Sequence, residues 1–259
     1  MYQTNLFVAS VKRGVASKIF LCYIPNCEET KIRPSNKMAL ALKKFEAIET
    51  AETILPFGAK LRLVKSKPFA SEEYLKFERE AEERHEFIDG KIIKMAGESL
   101  AHSQISFSLS GIFYNQLLNK SCQGLSPNMK VRTTTKSLFA YPDLVIVCGA
   151  PKFHDVKKDV LINPKIIFEV LSPSTERYDR GEKFQYYKNE TPSLADYILV
   201  SQDQILVEQF TKQENESWLY RSFDKAEDIL RIESFEVEVL LQDIYLRVTF
   251  PQAEILTEE

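Results

Sequence analysis

The sequence predicts an α/β or α+β domain, with a mixed central β-sheet flanked by helices and added C-terminal β-strands. Three observations predict it. A helix that begins near Ser71, where an N-cap is followed by acids, and an amphipathic helix over residues 99–119 alternate with segments rich in β-branched and aromatic residues. A third helical segment, near residues 179–189, lies between two strongly apolar strands. The sequence contains no internal repeat, so we do not expect a repeat architecture.

The composition is that of a folded globular protein. Of the 259 residues, 44% are hydrophobic and 27% are charged, which lies outside the range of disordered chains. A chain of this length can bury a core that needs no disulfide bonds. The net charge of −3 gives no overall nucleic-acid signature, because proteins that bind DNA without sequence preference are usually basic. A phosphate ligand would have to be met by a local cluster or with the help of a metal cation.

Both ends of the chain are predicted to lie outside the domain. Residues 1–66 show no clean periodicity, and we expect an N-terminal extension that is poorly ordered or partly helical, with at most one short helix near residues 39–52. The domain itself is expected over residues 67–250. Residues 251–259 form an acidic tail that we expect to be loose.

The cysteines do not predict a zinc site, and the start of the chain does not predict a membrane span or a signal peptide. Cys22 and Cys27 have no second pair at zinc-ligand spacing, and Cys122 and Cys148 stand apart, so we expect reduced thiols and no zinc site. The apolar pieces within residues 1–25 are far shorter than the roughly 20 residues that a membrane span needs. They also lack the pattern of a signal peptide. We therefore expect a cytoplasmic protein without a membrane partner.

The first half of the domain is predicted to contain two helices with a hairpin between them. Ser71 is followed by two acids and fits the N-cap of a helix that runs to about Glu83. The Asp89-Gly90 pair between two β-rich arms predicts a tight hairpin over residues 86–95. A second helix is expected over residues 99–119, where one face collects the apolar residues Ile105, Leu109, Ile112, Phe113 and Leu117.

The second half is predicted to be mostly strands around one helix. After a polar turn at residues 124–128, we expect strands over residues 130–133, 139–147 and 165–171. Asp179 and Glu182 have the spacing of a capping box, which predicts a helix that begins at Asp179 and continues to about Asn189. Further β segments are expected at residues 195–200, 205–210 and 218–223, and residues 237–245 complete the core.

Glu169 is an acid in an apolar strand. Its near neighbours, from residue 166 to residue 171, are apolar, and an ionised side chain buried there costs several kcal/mol unless it is paired. Alternate side chains of a strand share a face, so Glu169 points the same way as Ile167 and Leu171. The strand therefore predicts a partner for Glu169 on that face of the sheet.

Asp143 is a second acid at the edge of an apolar run. It follows Pro142 and precedes the strand segment of residues 144–147. If the strands that carry Asp143 and Glu169 are adjacent, two carboxylates meet and their repulsion raises one pKa. A divalent cation removes this conflict, and carboxylate oxygens that leave positions for water and phosphate suit Mg²⁺.

Lys183 lies one turn into the predicted helix, with Tyr187 four residues further on the same face. A lysine beside a metal-bound water can orient that water or stabilise the charge that develops on a phosphoryl oxygen. Asp, Glu and Lys with a metal are a set of groups suited to phosphodiester hydrolysis. A solvated helix lysine explains the position of Lys183 equally well.

Three segments together resemble the Uma-two family, which groups predicted endonucleases of the PD-(D/E)xK, or restriction-endonuclease-like, superfamily. They are Tyr141–Gly149, Phe168–Thr175 and Asp179–Tyr187. The similarity extends upstream to residues 84–90 and 99–102 and downstream to residues 193–200 and Trp218, and it covers roughly residues 68–248.

The resemblance implies a role for each matching residue. Asp143 and Glu169 would be metal ligands, and Glu86 matches an acid that would complete the metal site. Superfamily members often place the lysine two residues after the second acid, where this sequence has Leu171. The family pattern with a migrated lysine assigns that role to Lys183 instead.

The remaining matches have simpler interpretations. Glu86 could equally be an exposed strand carboxylate. His102 matches a family position, but a histidine at a helix N-terminus is more often structural. For Tyr187, packing is favoured over a hydrogen bond within the site, and Gln185 is open to the same two interpretations.

The resemblance implies an endonuclease that hydrolyses the phosphodiester bonds of DNA with Mg²⁺ or Mn²⁺, with Asp143, Glu169, Lys183 and Glu86 as its catalytic residues. The alternative is a catalytically inactive nuclease-fold protein that binds nucleic acid or protein, and the mild acidity of the chain favours it slightly. A metal hydrolase that acts on other substrates would use the same acids. DNA is the expected partner, and cleavage of both strands would call for a homodimer.

Overall fold

The computed structural model describes residues 68–250 and four short strands before them. The chain divides into two units, Met1–Pro68 and Phe69–Glu259. In the first unit, β1 (Val8–Ser10) pairs with β2 (Ile19–Leu21), and β3 (Ile48–Ile54) pairs with β4 (Lys60–Ser66), both antiparallel.

The helix predicted near residues 39–52 is wrong in its last part. Residues 48–52 belong to β3, which pairs with β4 along its whole length. Its β-branched residues at positions 48, 50, 53 and 54 favour a strand. Residues 39–47 and the acidic tail lie outside the described residues.

The second unit begins with a helix and a hairpin. Helix α1 (Ser71–Glu78) is followed by β5 (His85–Ile88) and β6 (Lys91–Lys94). Asp89 and Gly90 have φ of 45° and 82°, as a two-residue hairpin turn with two positive φ angles requires. The predicted hairpin is confirmed.

The limits predicted for α1 are wrong at both ends. Ala70, not Ser71, is the N-cap residue, and its backbone N–H donates to the Glu73 carboxylate at 2.8 Å. The helix ends at Glu78 rather than Glu83 because the Glu78 carboxylate accepts a hydrogen bond from the backbone N–H of His85 at 2.9 Å. That bond closes the turn between the helix and β5.

The long helix α2 (Leu100–Leu117) confirms the helix predicted over residues 99–119. Ser99 is its N-cap residue, and the Ser99 hydroxyl accepts a hydrogen bond from the backbone N–H of His102 at 3.1 Å. Its buried face contains Ile105, Leu109, Phe113 and Leu117, as the apolar spacing predicts.

The following strands come in two groups, separated by a helical segment. The first group is β7 (Cys122–Leu125), β8 (Lys130–Arg132), β9 (Leu138–Ala140), β10 (Leu144–Cys148), β11 (Val160–Leu161) and β12 (Ile166–Leu171). The second group is β13 (Asp196–Ser201), β14 (Val207–Lys212), β15 (Trp218–Phe223), β16 (Ile229–Ile232) and β17 (Val237–Leu240), followed by a short helix (Leu241–Ile244).

A six-stranded mixed sheet forms the centre, in the order β15-β14-β13-β12-β10-β7. Strands β12 and β13 are parallel, and the other neighbours are antiparallel. A five-stranded sheet has the order β11-β8-β9-β5-β6. Strands β16 and β17 form a separate hairpin. This mixed α+β architecture confirms the predicted fold class, including the added C-terminal strands.

Strand β12 is buried on both faces. Ile166, Phe168 and Val170 face the core that contains the buried side of α2. Ile167 and Leu171 face a second core on the other side of the sheet. The alternation predicted for the strand that carries Glu169 is therefore confirmed.

The strand predicted over residues 139–147 is two strands in different sheets. Leu138–Ala140 belongs to the five-stranded sheet and Leu144–Cys148 to the six-stranded sheet. Pro142 lies between them, and a proline lacks the N–H that a continuous strand needs. The interruption leaves Asp143 at the point where the chain enters the central sheet.

A disulfide bond joins Cys122 and Cys148, which pair across β7 and β10. The expectation of reduced thiols is therefore wrong for these two residues, while Cys22 and Cys27 lie outside the described residues. The pairing was missed because the turn predicted at residues 124–128 concealed β7. Within the described part of the chain, no helix is both long and apolar enough to span a membrane.

The helical segment after β12 runs from Glu176 to Glu190 and contains a π-helical turn. It comprises α3 (Glu176–Tyr178), the π-turn Asp179–Lys183, and α4 (Phe184–Glu190). The prediction that Asp179 caps this helix is wrong, since a helical turn precedes it. The side chain of Asp179 is buried instead.

Candidate active site

Glu169 is buried in the middle of the central sheet. Glu169 is 4% exposed, and its side chain lies on the same face of β12 as Ile167 and Leu171. The Nζ atom of Lys183 lies 2.9 Å from Glu169 Oε1. The sequence-predicted acid and lysine are therefore in contact, and the partner of the buried acid is an ammonium group.

Lys183 lies among three carboxylates. Besides Glu169, its Nζ atom is 3.2 Å from Glu86 Oε1 and 3.4 Å from Asp179 Oδ1. Burial opposes the charged form of Lys183, but Glu169, Glu86 and Asp179 outweigh it, so the pKa of Lys183 lies well above 10.5. The lysine is a fixed positive charge and not a base at neutral pH.

The π-turn directs both Asp179 and Lys183 into the site. These two residues are the first and last of the turn, and they are its buried residues. Single π-turns are rare and occur often at functional sites. Sequence reasoning missed Asp179 as a site residue because its spacing to Glu182 indicated a helix cap. Its position four residues before Lys183 was the available signal.

Asp143 joins the central sheet to α2. One step beyond the pairing of Leu144 with Phe168, it lies across from Glu169. Its Oδ2 atom accepts a hydrogen bond from the backbone N–H of Val170 at 2.7 Å. Its Oδ1 atom is 2.8 Å from Nε2 of His102. The strand register places the two sequence-predicted metal ligands, Asp143 and Glu169, opposite each other.

His102 has a direct contact in the site, although its position alone favoured a structural role. Burial lowers the pKa of its imidazole, but the hydrogen bond and the charge of Asp143 outweigh burial and raise it above 6.5. Glu98 adds to this effect at 3.7 Å from Nε2. The protonated form of His102 is therefore favoured beside Asp143.

Negative charge exceeds positive charge in this cluster. The carboxylates of Glu86, Glu169 and Asp179 surround Lys183, while Asp143 contacts His102. Burial raises the pKa of Glu169 well above 4.5, and the other three acids add to the rise against the opposing effect of Lys183. A bound proton or a metal cation would offset this excess of negative charge.

Three buried polar atoms next to Lys183 have no hydrogen-bond partner among the described residues. They are Oε1 of Glu169 and the hydroxyl groups of Tyr178 and Tyr187. The ion pair of Glu169 with Lys183 does not satisfy this oxygen with a well-directed hydrogen bond. Burial raises the pKa of both tyrosines, so their hydroxyls remain donors.

Tyr187 combines packing with polarity. Its ring is fully buried and lies 5.8 Å from that of Tyr197, centroid to centroid, which agrees with the packing role favoured from the sequence. Its unpaired hydroxyl is the feature that the packing role does not explain. Gln185 is exposed and takes no part in the cluster.

The acids suit a hard cation with few protein ligands. Among residues 68–250, no group of three His, Cys, Asp or Glu side chains is close enough to hold a metal ion by itself. Mg²⁺ commonly takes one or two carboxylates and completes its octahedron with water and substrate phosphate. The carboxylates of Glu169 and Asp143, which lie opposite each other across the ladder, fit that requirement.

The class of protein follows from a family comparison. Residues 71–242 match the model of the Uma2 family, described as "Putative restriction endonuclease". The match covers most of the chain and includes every residue of the cluster above. The chain belongs to this family, as its three sequence segments predict.

Particular relatives agree with this membership. The chain is 35% identical to the uncharacterised protein slr1290 of Synechocystis over 189 residues, which are 71% of this chain and 97% of that protein. It is 32% identical to the uncharacterised protein sll1609 of the same organism, over 60% of this chain and 86% of that protein. A crystal structure described as a putative nuclease belonging to DUF820, from Anabaena variabilis, has the same fold with a TM-score of 0.58 at 18% identity, over 69% of this chain and 98% of that chain.

Proposed function

We propose that this protein is a metal-dependent DNA endonuclease that hydrolyses phosphodiester bonds with Mg²⁺ or Mn²⁺. The observation that carries the proposal is the buried ammonium group of Lys183, which lies 2.9 Å from Glu169 Oε1 and also contacts Glu86 and Asp179. Membership of a family described as restriction endonucleases favours nucleic acid as the substrate.

Asp143 and Glu169 would hold the metal ion, and Glu86 would complete the site. A bound divalent cation neutralises charge on the phosphate and lowers the pKa of a coordinated water. His102 fixes the orientation of the Asp143 carboxylate through the 2.8 Å contact, since partners of metal-ligating groups set their geometry.

Lys183 would act by charge and by donated hydrogen bonds. Its raised pKa keeps it protonated, so it can orient the attacking water or stabilise the oxygen on which negative charge develops. A lysine side chain is long and flexible, and the carboxylates of Asp179 and Glu86 restrict its position. Asp179 is thus a positioning residue for Lys183.

Cleavage of plasmid and linear DNA in Mg²⁺ or Mn²⁺ tests this proposal. We expect Asp143→Ala and Lys183→Met to lose activity, while Lys188→Met, a substitution on the same helical segment, retains it. Circular dichroism of each variant establishes that it is folded. Equal cleavage by the wild type and both site variants would contradict the assignment.

The second candidate is a nuclease-fold protein that binds without cutting. The specific observation in its favour is that Lys183 already neutralises part of the acid cluster. Calorimetric titration separates the two candidates. Binding of Mn²⁺ that is lost in Glu169→Gln favours the nuclease, whereas DNA binding without metal binding or cleavage favours the binding module.

A further inference from the structure

Helix α2 has a large apolar stripe on the side that faces away from the sheet. Leu100, Phe107, Tyr114 and Leu118 are 75%, 82%, 69% and 61% exposed. Together with the exposed Gly111 they form the outward stripe, which spans an arc of about 60° at 3.6 residues per turn. The opposite side of α2 packs on the central sheet, so the two faces of this helix are both apolar.

The same helix lacks charge. Residues 99–119 contain no Asp, Glu, Lys or Arg, although 27% of the whole chain is charged. A helix that faces solvent normally has charged or polar residues on its outer side. An uncharged apolar face can meet a copy of itself without repulsion between like charges.

Among the described residues, nothing requires a glycine at position 111. It lies at an exposed position inside α2, and a Cβ atom built on it would have no atom within 4 Å. Alanine would fit there and is a better helix former than glycine. A glycine on an exposed helix face allows the close approach of another chain.

We propose that the outward stripe is the interface of a homodimer, in which α2 of two copies pack antiparallel around a two-fold axis at the level of Leu109. Leu100 and Leu118 are equally far from Leu109 along the sequence, as are Phe107 and Gly111. In this arrangement each Leu100 meets the partner's Leu118, and each Phe107 ring lies over the partner's Gly111. This self-complementarity is what an isologous interface requires.

The residues at the two ends of the helix also complement each other. Glu98 and Lys120 are exposed and lie beyond opposite ends of α2, again equally far from Leu109. The antiparallel arrangement brings the acid of one copy towards the base of the other. A parallel arrangement would bring like charges together, which disfavours it.

The stripe offers an area typical of a small, weaker dimer contact. Its four large side chains offer on the order of 500 Å² per chain, given the 150–250 Å² that a large aromatic side chain buries. A standard interface buries about 800 Å² on each partner. The uncharged neighbours Ser103 and Asn115, both exposed, extend the surface towards that area.

The dimer would connect two candidate sites through one element. His102, near the N-terminal end of α2, contacts Asp143, and the outward stripe belongs to the same helix. The inference concerns association alone and does not depend on whether the site cleaves DNA.

Sedimentation equilibrium of the full chain tests the interface. We expect the wild type to dimerise at concentrations up to about 100 µM, since an interface somewhat smaller than the standard size is typical of weaker association. Phe107→Glu should weaken the dimer at least about tenfold, because it places a charge in the interface. The matched control is Val156→Glu, which changes a residue that is 94% exposed and outside the stripe, and it should leave the dimer unchanged.

Gly111→Ala provides a second, independent test. We expect it to weaken the dimer while leaving the melting temperature of the dilute monomer unchanged or higher, because alanine favours the helix. A wild type that stays monomeric to about 100 µM, or a dimer that Phe107→Glu does not weaken, would overturn the proposal. A monomer whose melting temperature falls in Phe107→Glu would also overturn it and would indicate that the chain covers its own stripe.

Discussion

Strand β5 contributes neighbouring residues to two buried charged clusters that differ in how completely their polar atoms are paired. Glu86 belongs to the candidate site around Lys183. His85 belongs to a second cluster, which we call the Glu78 network, consisting of Glu78, Arg79, His85, Lys130, Tyr141, Asp155 and Asp159. Both clusters bury a lysine, so burial of charge alone does not distinguish them.

The Glu78 network pairs both oxygens of its central acid. Glu78 Oε1 accepts hydrogen bonds from the backbone N–H of His85 at 2.9 Å and from the Tyr141 hydroxyl at 2.7 Å. Its Oε2 atom is 3.0 Å from Nδ1 of His85. Lys130 donates to the Tyr141 hydroxyl at 3.1 Å, so Tyr141 connects Lys130 to Glu78.

Its outer part is an arginine with two acids. Arg79 donates two hydrogen bonds to Asp159, at 2.9 Å and 2.7 Å, and one to Asp155 at 2.8 Å. The hydrogen bond with Arg79 lowers the pKa of Asp159 below 3.8. The acid of the candidate site, Glu169, has its pKa shifted in the opposite direction.

The difference separates a structural cluster from one that can still bind something. A fully paired polar network stabilises one conformation and leaves no donor or acceptor for a ligand. Among the described residues, the candidate site keeps two hydroxyls without a hydrogen-bond partner and a carboxylate oxygen held by an ion pair alone, and it has more acids than bases. If the completeness of pairing distinguishes the two clusters in function, substitutions in the candidate site should change activity, and substitutions in the Glu78 network should change stability.

The largest effect is expected on catalysis in the unpaired cluster. Glu169→Gln keeps the shape of the side chain and removes a charge from an acid-rich site, so we expect DNA cleavage to fall about 10²–10³-fold with little loss of stability. Plasmid nicking and urea unfolding measure the two quantities. Glu182→Gln, at an exposed position of the same π-turn, is the control. Normal DNA cleavage by Glu169→Gln would show that the cluster around Lys183 is not the catalytic site.

The next largest effect is expected on stability in the paired cluster. Glu78→Ala leaves the Tyr141 hydroxyl and the backbone N–H of His85 without their acceptor and removes the partner of the His85 ring, and we expect it to lower the free energy of unfolding by about 3 kcal/mol. Urea unfolding at neutral pH measures the change. The exposed Glu80 provides the control Glu80→Ala, which should change stability little. A neutral result for Glu78→Ala would show that full pairing is not what stabilises this region.

A smaller effect is expected from the metal ion. At ten times its Kd, a cation that binds only the folded state stabilises it by about 1.4 kcal/mol. This should raise the melting temperature by about 3–5 °C for a domain of this size. Scanning calorimetry with Mn²⁺ should detect the rise in the wild type and in Glu78→Ala, but not in Glu169→Gln. The same rise in all three proteins would mean that the ion binds elsewhere.

The smallest effect is a pH dependence of the Glu78 network. Because Arg79 lowers the pKa of Asp159 in the folded state, the unfolded chain binds that proton more tightly. The stability that the pair contributes is therefore complete above the unfolded pKa and is lost as the pH falls from about 4 through the lowered value. Unfolding at a series of acidic pH values should show a shallower loss in Arg79→Met than in the wild type. Parallel curves would contradict the pairing.

The sequence predicted the central part of the site because its rules are local. The alternation along β12 predicts the face on which Glu169 lies. Leu171 stands where superfamily members often have a lysine, and the resemblance assigns that role to Lys183 on the following helix. Pro142 marked the entry of Asp143 into the sheet. The face of Glu169 needed only the period of a strand, whereas the roles of Asp143 and Lys183 rested also on the family resemblance.

Other features depend on contacts between distant parts of the chain. The inward direction of Asp179 requires the extra residue of a π-turn, which ordinary helical spacing does not reveal. The contact of His102 with Asp143 needs the packing of α2 on the sheet, across 41 positions of sequence. Strand β7 was missed because Gly124 and its polar neighbours resemble a turn, and its partner β10 supplies the pairing.

The bond between Cys122 and Cys148 makes a closed ring of the chain between them, 26 positions apart. The ring contains β8, β9 and Asp143, so the first acid of the candidate site is carried on a covalent loop. Closing a loop of this size restricts the unfolded chain by about 3–4 kcal/mol in the chain-entropy treatment. A protease that cuts between Thr133 and Ser137 would leave two fragments that stay joined until a reductant is added. Gel electrophoresis with and without reductant after such a cut would reveal the ring directly.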